Sequence, residues 1–152
     1  MKKSKFKNQT AKIFVEQWID SIIQKSALSY EKFDAITSFG KTRILSVNHA
    51  QKELKPIVYV PGARTCGIFL DLSNQLQILA NKHRIYLLDV VGQVGMSDVN
   101  CPSLKDSSYG KWLDDICQQT GVDNGIFVGA SFGGQIILNS PESRRNALKK
   151  RC

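Results

Sequence analysis

Residues 126–134 read Ile-Phe-Val-Gly-Ala-Ser-Phe-Gly-Gly, and this stretch decides the fold. A strand-type apolar run leads into the pattern G-x-S-x-G, and a helix-type apolar run at 133–138 follows it. The pattern alone is weak, but a strand entering and a helix leaving is the context in which such a serine is reactive. Glycines at 129, 133 and 134 clear space for strand and helix to approach. We predict a sharp strand-to-helix turn at Ser131; the alternative is a glycine-rich turn with an idle serine.

Outward from this turn, strand and helix patterns alternate along the chain. Three continuous apolar runs are typical of buried parallel strands: residues 56–60, 84–90 and 126–130. Three segments have helical character: residues 67–81, a segment from Trp112 that ends before Gly121, and 133–138. Two shorter strands, 33–38 and 42–48, flank a turn and are expected to pair antiparallel at one edge. The alternation predicts an α/β fold with a doubly wound, mostly parallel sheet.

The chain has 152 residues and a formal net charge of +8, but the positive charge lies at its two ends. Residues 1–12 hold five lysines and no acid, and residues 144–152 hold five basic residues and no acid. The body between them has 11 basic and 13 acidic residues. A nucleic-acid-binding surface needs a basic stripe on a folded face, so we predict no nucleic-acid partner.

The N-terminal region predicts an amphipathic helix at 8–25 and no membrane span. Apolar residues from Ile13 to Ile23, including Phe14 and Trp18, form one stripe, which is expected to pack on the domain. No run of 18 apolar residues occurs, and no export signal is found. The four cysteines are far apart in sequence, as is typical of reduced thiols, and Cys66 lies in a loop where it could be accessible. We therefore predict a cytoplasmic protein.

A Gly-Lys-Thr triplet at 40–42, with Ala35 at the required spacing before it, suggests a phosphate-binding loop. Such a loop needs a glycine-rich turn followed by a helix whose N-terminus faces the phosphates. Residues 36–39 are not glycine-rich, and the sequence after Thr42 has a strand pattern. We therefore do not expect a nucleotide site here.

Three stretches resemble the α/β-hydrolase family. Residues 129–133 resemble its nucleophile elbow, the sharp turn that carries the catalytic serine. Residues 58–63, Val-Tyr-Val-Pro-Gly-Ala, resemble the end of its third strand and its oxyanion loop, where many members have a histidine in place of Pro61. Residues 89–97 resemble the D-x-x-G-x-G-x-S segment after its fourth strand. The resemblance covers about residues 33–138, the N-terminal half of such a fold.

This resemblance implies a serine hydrolase of the esterase or lipase type that acts on a small-molecule ester, with no cofactor and no metal. Ser131 would be the nucleophile, and the backbone N–H groups of Ala63 and Phe132 would form the oxyanion hole. Asp89 and Ser97 would have structural roles.

The catalytic acid and histidine of such an enzyme are not found in this sequence. In this fold they follow the serine, but after Ser131 the chain has only Glu142 and no histidine. His49 and His83 both precede it, and nothing places either beside Ser131. We therefore interpret the chain as a hydrolase truncated before its acid and histidine; the alternative is a non-catalytic remnant or interaction module on the same half-sheet.

The resemblance divides the chain into three predicted parts: a basic N-terminus with its helix at 1–27, a partial α/β-hydrolase domain at 28–139, and a basic tail at 140–152. The strand at 126–130 would then have an unpaired side. An apolar strand with an open side predicts possible self-association through the exposed sheet edge.

Overall fold

The computed structural model describes residues 6–72 and 76–140. In chain order its elements are α1 (Gln9–Lys25), β1 (Glu31–Thr37), β2 (Gly40–Val47), β3 (Lys55–Val60), a 3₁₀ helix (Gly67–Asp71), α2 (Leu76–Ala80), β4 (His83–Leu88), α3 (Ser108–Thr120), β5 (Ile126–Gly129) and α4 (Phe132–Asn139). The predicted basic tail, apart from Ser140, lies outside the described residues.

The five strands form one sheet in the order β1-β2-β4-β3-β5. β3 pairs parallel with both β4 and β5, while β1 and β2 are antiparallel additions on the far side of β4. The predicted α/β fold with a mostly parallel sheet and an antiparallel edge is thus confirmed. Because β3, β4 and β5 run in the same direction, the loops that follow them meet at one edge of the sheet.

Helices cover both faces of the sheet. On one face α3 and α4 pack on a core centred on Trp112, which is fully buried. The Trp112 indole N–H donates a hydrogen bond of 2.8 Å to the Thr42 hydroxyl. Thr42 is therefore a core residue of β2, and a strand follows the Gly-Lys-Thr triplet, as the sequence indicated. A phosphate-binding loop is excluded because no helix begins there.

The predicted N-terminal helix forms and packs on the opposite face. The Asn8 side chain caps it by accepting a hydrogen bond from the Ala11 N–H. Ile19 is 2% exposed, and Trp18 meets Phe69 of the 3₁₀ helix edge-on, with ring centroids 4.8 Å apart. The predicted apolar stripe is too wide, because Phe14 at its N-terminal end is 68% exposed. Among the described residues, no helix is long and apolar enough to span a membrane.

The single helix predicted over 67–81 is wrong. A 3₁₀ helix occupies Gly67–Asp71, and a short α-helix occupies Leu76–Ala80. The first segment is pressed against β4, since a Cβ on Gly67 would lie 2.9 Å from the Leu87 carbonyl carbon. A continuous helix would place Leu72 and Leu79 on the same face as Phe69 and Leu76, but in the structure Leu72 and Leu79 are 58% and 40% exposed. Close contact with the sheet, which periodicity does not report, sets the local structure here.

The two outer strands of the sheet differ in whether their outer backbone groups are hydrogen bonded. On β1 the Gln119 side chain binds the outer backbone groups of Ile36, accepting from its N–H at 3.0 Å and donating to its carbonyl at 2.7 Å. The neighbouring Ser38 N–H donates to the Asp115 carboxylate. On the other side, β5 pairs only with β3 within the described part of the chain. The predicted unpaired edge of β5 is therefore present in these residues.

Candidate active site

Ser131 lies at the turn between β5 and α4, and its backbone is strained. Its φ of 50° and ψ of −112° fall in a region that residues with a side chain rarely occupy. The turn is closed by a 2.9 Å hydrogen bond from the Gly133 N–H to the Ala130 carbonyl. The Ser131 residue is exposed at the carboxyl edge of the parallel strands. The sharp strand-to-helix turn predicted from residues 126–134 is present.

At two of the three glycines around Ser131 there is no room for a side chain. A Cβ on Gly133 would lie 1.9 Å from the Val60 carbonyl oxygen, and one on Gly129 would lie 2.5 Å from the Gly134 nitrogen. The expectation that Gly134 also clears space is wrong. A Cβ there would lie 3.5 Å from the Gly129 oxygen, which is an ordinary contact. Glycine is therefore required at positions 129 and 133, whereas position 134 has room for a side chain.

The loop after β3 contacts this turn. A Cβ on Gly62 would be 3.8 Å from the Ser131 Cβ, so residues 62 and 131 are direct neighbours. Ala63 is exposed beside them, and Phe132 begins α4. Within residues 6–72 and 76–140, neither the Ala63 nor the Phe132 N–H donates a hydrogen bond to another group. The structure thus brings the three predicted site residues into adjacent segments.

Asp89 ties the loop after β3 to the loop after β4. One carboxylate oxygen accepts from the Gly67 N–H at 3.0 Å, and the other accepts from the Met96 N–H at 2.7 Å. The Ser97 hydroxyl donates to the Asp89 backbone carbonyl. Residues 89–97 have one residue more between their glycines than D-x-x-G-x-G-x-S, and Gly95 packs directly on the Asp89 carboxylate. Both side chains are buried and bonded to backbone, which agrees with structural roles.

Sequence reasoning missed Arg64 and Gln93. Arg64 adopts a left-handed backbone with φ 62°, and its N–H donates a 3.0 Å hydrogen bond to the Gln93 side-chain oxygen. Nothing in the residue types signals this pair, because it depends on how two distant loops meet. Cys66, for which the sequence left accessibility open, is fully buried.

Both histidines lie at the opposite edge of the sheet from Ser131. His83 begins β4 beside Lys55, five residues along β3 from the position paired with Gly129. At the usual rise per residue this separation is about 16 Å. The His49 ring contacts the Tyr86 hydroxyl at 3.1 Å. Burial, followed by the charge of Lys52, lowers the pKa of His49, so the ring is neutral at pH 7.

No metal site is found in the described segments, in which no three His, Cys, Asp or Glu side chains cluster suitably. The candidate site thus contains the Ser131 hydroxyl and the backbone N–H groups of Ala63 and Phe132. Neither histidine lies beside them.

The strain at Ser131 predicts that glycine stabilises this position. Backbone strain of this kind costs about 1–3 kcal/mol, and glycine removes that cost because it has no side chain. Glycine also makes the unfolded chain more flexible, which takes back about 0.4–1 kcal/mol of the gain. Ser131→Gly should therefore melt about 2–4 °C above Ser131→Ala, which keeps the strain. Thermal unfolding followed by circular dichroism measures both variants. A Ser131→Gly midpoint at or below that of Ser131→Ala would contradict a strained turn.

Comparisons with known proteins agree with this architecture. No family model matches the sequence. The chain is 24% identical over 121 residues to the uncharacterized carboxylesterase nap of Bacillus subtilis (strain 168), covering 77% of this chain and 39% of that protein.

Solved structures give the same result. The naproxen esterase (carboxylesterase NP) of Bacillus subtilis matches with a TM-score of 0.73 and 21% identity, over 87% of this chain and 45% of that one. The N-acyl homoserine lactonase AidH matches with a TM-score of 0.61 and 20% identity, over 76% and 42%. The chain spans less than half the length of the relatives it matches. With the motifs around Ser131 and Asp89, these similarities identify the chain as having a partial α/β-hydrolase fold.

Proposed function

We propose that this chain is the nucleophile-bearing part of a serine hydrolase acting on small-molecule esters. The observation that carries the proposal is the strained backbone of Ser131 at a strand-to-helix turn. A strained, exposed serine held by steric constraint at Gly129 and Gly133 is a costly feature that needs a functional reason. The esterases and the lactonase with similar folds support acyl transfer as the reaction.

In this proposal Ser131 Oγ attacks the ester carbonyl, and two backbone N–H groups stabilise the oxyanion that forms. The Phe132 N–H lies in the first turn of α4, where helix N–H groups have no partner within the helix and carry partial positive charge. The Ala63 N–H comes from the neighbouring loop. Removing one such donor in enzymes of this kind costs about 100- to 1000-fold in rate.

The proposed nucleophile needs a base that this sequence does not place near it. A serine hydroxyl reacts only when a neighbouring base accepts its proton. His49 and His83 are about 16 Å or more away at the other edge of the sheet. An acid and a histidine from residues outside this sequence would complete the site. The same observation favours the second candidate function, a non-catalytic interaction module built on this sheet.

We expect the 152-residue chain to hydrolyse activated esters weakly. A site with oxyanion donors and no complete triad can still accelerate reaction about 10³–10⁴-fold over water. Mass spectrometry after incubation with p-nitrophenyl acetate, with imidazole as an external base, should find acetyl on Ser131. Ser131→Ala should lack this product, while Ser103→Ala, an exposed serine of the loop at 101–107, should retain it.

The outcomes separate the two candidate functions. Acetylation confined to Ser131 supports the hydrolase, whereas a Ser131 no more reactive than Ser103 favours the interaction module. Fast turnover without imidazole that is lost in Ser131→Ala would show that a base is already present, contrary to the proposal.

A further inference from the structure

Gln93, in the loop after β4, contacts the segment that carries one proposed oxyanion donor. Its side-chain oxygen accepts the Arg64 N–H at 3.0 Å. Arg64 directly follows Ala63 and has a φ of 62°, a conformation that is uncommon for a residue other than glycine, asparagine or aspartate. The peptide between them also carries the Ala63 carbonyl. The hydrogen bond to Gln93 therefore helps to hold the strained peptide next to the Ala63 N–H.

The segment that carries the second donor is held by α3. Phe132 supplies that proposed donor. Tyr109 of α3 is 5% exposed, and its ring meets the Phe132 ring edge-on with centroids 5.0 Å apart. The two donors are thus held by different contacts, the Ala63 side by Gln93 and the Phe132 side by Tyr109.

The loop that carries Gln93 is itself anchored. The Gln93 N–H donates to the Val90 carbonyl at 3.0 Å, and the Gly92 N–H donates to the Asp98 carbonyl at 2.8 Å. Val90 is fully buried in the core below α3. The Gln93 side chain therefore extends from a fixed base to the loop after β3.

We propose that Gln93 is a positioning residue that fixes the Ala63 N–H by binding the N–H of the next residue, Arg64. The proposal rests on the proposed function, because the Ala63 N–H matters only if an oxyanion forms at Ser131. An amide suits the role since its oxygen accepts a hydrogen bond without the negative charge of a carboxylate, which would oppose that oxyanion. Misplacing a reacting group by 1 Å can cost about 100-fold in rate.

The first test measures position without catalysis. We compare Gln93→Ala and Gln93→Glu with Gln118→Ala, a change of an exposed glutamine on the surface of α3. In Gln93→Ala the Arg64 amide should exchange with solvent about tenfold faster, because its acceptor is gone. The Ala63 amide resonance should shift in NMR spectra. Gln93→Glu should keep the Arg64 protection, because a carboxylate still accepts, and Gln118→Ala should change neither the Arg64 exchange nor the Ala63 resonance.

The second test uses acetylation of Ser131 with imidazole as the external base. Gln93→Ala should lower the limiting rate by about 10- to 100-fold while the ester concentration at half-saturation stays within about twofold. Gln93→Glu should recover little of the rate, because its charge opposes the oxyanion. The positioning role would be overturned if Gln93→Ala raised only the ester concentration at half-saturation and left the limiting rate unchanged. It would also be overturned if Gln118→Ala lowered the limiting rate as much as Gln93→Ala does. Unchanged Arg64 exchange in Gln93→Ala would overturn it as well.

The two tests keep this proposal separate from the proposed function. If the wild-type chain does not acetylate at Ser131, the proposed function fails. The Arg64 amide exchange and the Ala63 shift then decide the Gln93 proposal by themselves.

Discussion

Replacing Gly133 by alanine is expected to cost the chain about 3 kcal/mol or more of its free energy of unfolding. The added Cβ would lie 1.9 Å from the Val60 oxygen and 2.8 Å from the Pro61 oxygen, and both are backbone atoms. Overpacking a tolerant core costs about 1–3 kcal/mol, and a backbone carbonyl at the centre of the sheet moves less easily than a side chain. Gly133→Val should be worse, and both should be more destabilising than Ser131→Ala.

The next residue gives a matched control. Gly134→Ala adds the same methyl group one position along α4, where the nearest atom is 3.5 Å away. In a helix interior this exchange is favourable by about 0.5–1 kcal/mol. Urea unfolding should therefore give opposite shifts for the two neighbouring alanine variants. Equal midpoints for Gly133→Ala and Gly134→Ala would contradict the close approach of α4 to β3.

The second large effect concerns association through the open edge of β5. Val128 on this strand is 41% exposed and borders an apolar groove of about 350 Å³, lined by Ile57, Leu70, Leu76, Leu79, His83 and Ile126. Residues 125–130 carry no charge, and the basic ends of the chain are screened beyond about 10 Å at 0.1 M salt. We propose that the isolated chain associates with itself at this edge.

Sedimentation at moderate salt should give an apparent mass of at least twice 17.0 kDa. Val128→Lys places a charge on the open strand and should return most of the protein to a monomer. Ile36→Lys is the matched control, since Ile36 is 67% exposed on the other outer strand. A wild-type monomer that melts sharply and binds no dye for apolar surface would contradict association. Equal effects of the two lysine variants would contradict the assignment to β5.

The order of the strands could be predicted from the sequence because each strand-type apolar run matches one strand. The five strands agree with the predicted runs to within a few residues, and α1 begins at the cap provided by Asn8. The segment 67–81 could not be predicted, because contact of Gly67 with β4 overrides helical periodicity. Helical spacing shows which residues share a face but not where the surface that covers this face ends. It therefore did not predict that Phe14 is exposed.

At the site, residue types and spacing locate Ser131 but not what surrounds it. The elbow is a local feature of residues 126–134, so sequence patterns suffice to find it. The Arg64–Gln93 contact joins positions 29 residues apart and depends on the left-handed backbone of Arg64, which an arginine in the sequence does not signal. The distinction between Gly133 and Gly134 likewise depends on which one faces the Val60 carbonyl.

The side-chain amide of Gln119 in α3 would limit the size of the proposed assembly. Two copies that join β5 to β5 about a twofold axis would form one continuous ten-stranded sheet with a β1 strand at each end. At both ends the outer backbone groups of Ile36 would still bind Gln119, which leaves a third copy a shorter edge to pair with. Gln119 would thus act as a terminator that favours a dimer over growth into a fibre.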